Sequence, residues 1–132
     1  MDNNTPTYDS ILELRRTVNE SATAFHLAFM SEKSAERMLN AAAVRIADAV
    51  ANGETPTAYD VAAYRCRRHE YAEALLKCNE ADERLAESGN RLREAIRRAK
   101  AVSTLLDKSK LDTIGEPPYL VGGETIPKGG AK

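Results

Sequence analysis

The sequence predicts an all-α protein: a long antiparallel helical hairpin, coiled-coil-like, over about 6–51 and 56–110, with an extended, irregular C-terminal tail. Three observations carry this expectation. Eight of the twelve Gly and Pro residues fall after residue 111, which leaves two long stretches almost free of helix breakers. Apolar residues recur at alternating steps of three and four through the first stretch, and acid-to-base pairs recur every seven residues through the second. Composition agrees, because 42% apolar and 30% charged residues describe a folded chain rather than a disordered one. Twenty-one Ala and no Trp favour helices in close contact over a thick sandwich core.

Residues 1–5 read as an N-terminal cap leading into the hairpin domain, 6–110. Thr5-Pro6 and Thr55-Pro56 each offer a hydroxyl at the N-cap and proline at the first helical position, where its missing N–H costs nothing. Asn52-Gly53 supplies the stop between the helices, since both residues tolerate the left-handed conformation.

The first helix presents Ile11, Leu14, Val18, Ser21, Phe25, Ala28, Glu32, Ala35, Leu39, Ala42, Ile46 and Ala49 along one seam. Ten of these twelve are apolar, and Ser21 and Glu32 are the exceptions. At Glu32 the helix is expected either to kink or to give the carboxylate a partner across the seam. The second helix carries Glu73–Lys77, Glu80–Arg84, Glu87–Arg91 and Glu94–Arg98, each four apart and in the favourable orientation. Its opposite side reads Tyr71, Leu75, Cys78, Leu85, Leu92, Ile96, Ala99 and Leu106, flanked by Ala74, Ala81, Ala95 and Val102 and interrupted by Asp82 and Ser103. Both patterns keep their phase through Gly89, which argues for one continuous helix.

Such helices would be roughly 69 and 82 Å long, and each can cover only one side of its neighbour. Leu12, Leu27, Phe29, Met30, Met38, Val44, Val50 and Leu76 are left outside a two-stranded seam. They imply either a second layer from another copy or a compact four-helix monomer broken near Ser31 and Gly89. Self-association is the leading expectation, with Ile11, Leu14, Val18, Phe25, Leu39, Ile46, Leu75, Leu85, Leu92, Ile96 and Leu106 as seam and oligomer-interface residues. The tail, 111–132, is expected to be flexible or docked on a partner as an extended arm, anchored by Ile114, Tyr119, Leu120, Val121 and Ile126.

The search for chemistry yields little. Cys66-Arg67-Arg68-His69 sets a thiol and an imidazole one turn apart, yet a closed zinc site needs four ligands and the two arginines oppose a cation. No Gly-x-Ser-x-Gly, Walker loop or Glu-x-x-His pair occurs, so no catalytic, cofactor-binding or metal-binding residue is expected. Between Arg91 and Lys110 seven bases face two acids, and Arg91, Arg93, Arg97, Arg98 and Lys100 are candidate phosphate contacts for a nucleic-acid-associated alternative. Residues 70–88, with six acids and two bases, lie directly before them, and a net charge of −1 provides no global attraction for nucleic acid.

The expected function is therefore that of a non-enzymatic structural or adaptor subunit. It would contact itself and another protein, in the manner of a small viral or phage assembly component or an inhibitor occluding a host protein. Met1 to Ser10 lack the features of a secretory leader, and the longest apolar run is four residues, so the expected location is intracellular or within a virion, with no membrane partner.

Overall fold

A computed structural model describes residues 6–102 and 108–116. Three helices follow in order: α1, Tyr8–Ala51; α2, Ala58–Val102; and α3, Lys108–Gly115. The two long helices pack against each other as a hairpin, and no strand occurs among the described residues. Both run unbroken through Ser31 and Gly89, so the helices do not divide into a four-helix bundle at those points. Gly89 is compatible with this continuity: a Cβ there would meet only the Arg93 guanidinium, at 3.5 Å.

The caps sit two residues later than the Thr-Pro pairs suggest. Thr7 accepts a hydrogen bond from the Ser10 N–H at 3.2 Å, while the Thr7 N–H donates to Ser10 Oγ at 2.8 Å, forming a reciprocal capping box. At the start of α2, the Asp60 N–H donates to Thr57 Oγ1 at 3.0 Å. The physical reason lies three residues downstream of each cap. Thr7 finds a returning hydroxyl there, whereas Thr5 would find Tyr8 and Thr55 would find Ala58. The expected N-terminal cap, 1–5, lies outside the described residues.

The end of α1 follows expectation. Gly53 has φ of +74°, and the Glu54 N–H reaches Ala49 O at 2.8 Å while the Gly53 N–H reaches Val50 O at 3.0 Å. This pair of bonds satisfies the last carbonyls of the helix and needs a residue without a Cβ at the left-handed position.

The chain forms two compact units: one from the described parts of Met1–His26 and Ala81–Lys132, the other from Leu27–Glu80. In the first, α1, α2 and α3 share a core of Ile11, Val18, Leu92, Ala95, Ile96, Ala99 and Leu111. Tyr8, Leu14, Leu85 and Ile114 pack against it. The second unit buries Ala42 and Cys78, together with the carboxylate-bearing Glu32. The four largest fully buried side chains, Ile11, Val18, Leu92 and Leu111, all belong to the first unit.

Burial along α2 follows Ala74, Cys78, Ala81, Leu85, Ser88, Leu92, Ala95 and Ala99. Small residues therefore stand at every seventh position of α2, from Ala74 to Ala95, and likewise on α1 at Ser21, Ala28, Ala35, Ala42 and Ala49. Small side chains at repeating seam positions let two helices approach closely, which exposes the larger residues flanking the seam. Leu75 is one of these, 38% exposed although expected in the seam; its neighbour Ala74 takes the inward position.

The C-terminal part differs most from expectation. The helix expected to reach residue 110 is described only to Val102, and a separate helix begins at Lys108. Residues 111–115, assigned from sequence to an irregular arm, are helical, and Leu111 is fully buried. Leu111 and Ile114 are spaced i, i+3, so one face of a short helix can enter the core. That burial, rather than the propensity of eight residues, explains the helix.

Candidate interaction surfaces

Within the two units the residues expected on the seam differ in burial. Ile11, Val18, Leu92 and Ile96 are buried, while Leu14, Phe25, Leu39, Ile46 and Leu85 are half-buried. Leu106 lies outside the described residues, as do the tail anchors Tyr119, Leu120, Val121 and Ile126. Ile114 is half-buried in α3 rather than part of an extended arm.

In the unit Leu27–Glu80, Glu32 is 6% exposed on the seam of α1, which continues without interruption past it. Across the seam, the Tyr71 phenol of α2 lies close enough to the Glu32 carboxylate for that group to raise its pKa. Lys33 Nζ lies 3.8 Å from Glu32 Oε1 and 3.5 Å from Glu36 Oε1, and also 5.4 Å from the centre of the Phe29 ring. Removal of the Tyr71 phenol from water raises its pKa above 10.0. The charges of Glu32 and Glu36 raise it further, against the pull of Lys33.

The sign of the consequence follows from proton binding. Above pH 10.0 the unfolded chain releases this proton before the folded one does, so stability falls as pH rises. The unfolding free energy in urea is therefore expected to hold below that pH and decline above it, with a shallower decline in Tyr71→Phe. Equal alkaline slopes in the two proteins would remove Tyr71 from this role.

The same unit exposes Leu27 (65%), Met30, Met38, Val44 and Val50 on α1, and Tyr59, Leu75 and Leu76 (59%) on α2. Seven of the eight residues expected outside the seam are exposed, counting Leu12 from the other unit, and Phe29 is half-buried. Leu27, Met30, Ser34, Met38, Ala41 and Val44 fall within roughly 120° of helix surface at 100° per residue, on the side of α1 away from the seam. Beside this stripe a shallow groove is lined by Leu27, Ala28, Ser31, Glu70, Glu73, Ala74 and Lys77.

The Cys66–His69 stretch is arranged as an ordinary charged surface. Arg67 donates to Glu70 at 2.9 Å, His69 lies 3.2 Å from Glu73, and the Cys66 thiol is 3.5 Å from Glu70. The Arg67 hydrogen bond, followed by that of Cys66, lowers the Glu70 pKa. Glu73 pairs with His69 instead of the expected Lys77. No cluster of three metal-ligating side chains occurs among the described residues.

The basic segment of α2 is exposed and internally paired. Arg91 meets Glu87 at 3.0 Å, and Arg97 holds Glu94 through two bonds of 3.1 and 2.5 Å. Glu94 thus chooses Arg97 one turn on, rather than Arg98; the contact lowers the Glu94 pKa and raises that of Arg97. Arg93 hydrogen-bonds Asn90, and Lys100 pairs with Asp112 of α3. A phosphate would compete with these carboxylates for Arg91, Arg97 and Lys100.

Sequence reasoning missed the seat of α3. Arg15 of α1 donates to Ile114 O and, at 2.8 Å, to Glu116 O, satisfying carbonyls at the end of the short helix. Gly115 packs closely against the core, since a Cβ there would lie 2.9 Å from Ile96 Cδ1, the end of a side chain that would have to shift. The signal was present as an apolar i, i+3 pair ending in glycine, Leu111-Asp112-Thr113-Ile114-Gly115. Hollows flank the helix on both sides, one lined by Tyr8, Leu12, Ser109, Lys110, Thr113 and Ile114, the other by Arg93, Ile96, Leu111, Asp112, Gly115 and Glu116.

Among the described residues no helix is long and apolar enough to cross a membrane. Compared with known proteins, the chain matches no family model, no curated protein and no solved structure.

Proposed function

We propose that this protein is a non-enzymatic structural or adaptor subunit that works by self-association and by contact with other proteins. One observation supports the reading above the rest: within Leu27–Glu80 the buried positions are Ala42, Cys78 and Glu32, Leu39 and Ile46 are only half-buried, and Leu27, Met30, Met38, Val44, Val50, Leu75 and Leu76 are exposed. A helix pair that leaves Leu27, Met30, Met38 and Val44 in water gains from a second layer, since each such side chain contributes on order of 1 kcal/mol when covered. An isologous pairing would let the same stripe serve both copies. A role in a larger assembly, such as a viral or phage particle, follows from a product that is a surface rather than a pocket.

Mass in solution tests the proposal. Light scattering over a range of concentrations is expected to give a multiple of 14.5 kDa, with dissociation on dilution. A mass of one chain throughout the micromolar range would refute it.

A further inference from the structure

We infer that α3 is an exchangeable element, and that the groove it fills also accepts the α3 of a second copy of this chain. The inference rests on the self-association reading and supplies a specific contact for it. The contacts that seat α3 are side-chain and cap contacts that a separate chain would reproduce. Leu111 enters the cluster of Ile11, Leu92, Ile96 and Ala99; Arg15 holds the terminal carbonyls; Lys100 pairs with Asp112; and Gly115 lies against Ile96.

The covalent link is short and its composition bears on exchange. Ser103-Thr104-Leu105-Leu106-Asp107 contains neither Gly nor Pro, and no such residue occurs from Asn90 to Ile114. The seam spacing of Leu92 and Ala99 continues at Leu106. This sequence is compatible with one helix from α2 into α3, as the periodicity alone suggests. A continuous helix carries Leu111 about 13 Å beyond Val102. Its own α1 begins at Tyr8, and Ile11 already packs in the cluster that includes Leu92 and Ala99. Leu111 and Ile114 would then extend past their own groove, and an identical groove on a second copy would restore each contact. Exchange of an identical element costs few interactions and is favoured by a short link.

Two full-length chains, one Leu12→Cys and the other Thr113→Cys, both on a Cys66→Ser background, test the exchange. Leu12 and Thr113 line the same hollow beside α3, and Leu12 is half-exposed while Thr113 is exposed, so both substitutions spare the core. After mixing and mild oxidation, the mixed disulfide dimer is expected to exceed either like-with-like dimer by about tenfold, reflecting the high local concentration of a docked pair. A binomial mixture of the three dimers, or none, overturns the exchange. If light scattering of the reduced mixture then still gives a multimer, only the exchange falls. If it gives single chains, the self-association reading falls with it.

Discussion

Leu92→Ala is expected to lower the unfolding free energy by about 2–5 kcal/mol, whereas Leu76→Ala should change it by no more than about 0.5 kcal/mol. The two residues have the same chemistry and lie on the same helix, sixteen positions apart. Leu92 is fully buried in a cluster with Ile11, Val18, Ile96 and Leu111; Leu76 is 59% exposed. Truncating Leu92 removes its transfer free energy and leaves a cavity bounded by three helices, which cannot all move in. Truncating Leu76 removes atoms already half in water. Urea denaturation followed by far-ultraviolet circular dichroism reads the difference. It should be run at low protein concentration, because association of the folded chains would add apparent stability to both proteins. Comparable losses for the two variants would show that the core lies elsewhere.

The second large effect is on association. Leu27→Lys combined with Val44→Lys is expected to weaken self-association about a thousandfold while leaving helicity unchanged. Leu27 and Val44 are 65% and 55% exposed and sit near opposite ends of the outward stripe on α1. In a symmetric pairing each substitution counts twice. Four side chains at on order of 1 kcal/mol each give roughly 4 kcal/mol, or about three decades in the dissociation constant. Sedimentation equilibrium measures the constant directly. Unchanged association with both lysines in place would remove this stripe from the interface and direct attention to α3.

Much of the architecture was legible in residue spacing. The alternating steps from Ile11 to Ala49 identified the inward face of α1 because a helix pair must bury a continuous stripe and has only one way to present it. Asn52-Gly53 identified the turn because few residues adopt a positive φ without strain. The outward set of Leu12, Leu27, Met30, Met38, Val44, Val50 and Leu76 was equally readable, since each falls off a seam whose phase was already known. These exposed side chains are the apolar surface on which self-association is proposed.

Where spacing misled, two patterns competed in one stretch. On α2, Leu75 and Ala74 both lie near the seam, and hydrophobicity favours the leucine; close helix approach admits the alanine. Glu94 had Arg97 and Arg98 within reach, and the choice of Arg97 depends on rotamers that no spacing rule specifies. Thr5 and Thr7 were both plausible caps, and the hydroxyl returned by Ser10 favoured the second.

Local periodicity, turn chemistry and capping thus established two long helices, their connection and the side each turns inward, because those properties arise between residues a few positions apart. The folding back of Lys108–Gly115 depends on residues about a hundred positions away: Arg15 at its terminal carbonyls and Ile11 in the cluster that takes Leu111. The environment of Glu32 depends likewise on Tyr71 across the hairpin. Such contacts leave no periodic trace, since a side chain's burial and charge environment belong to the packed chain rather than to its neighbours in sequence.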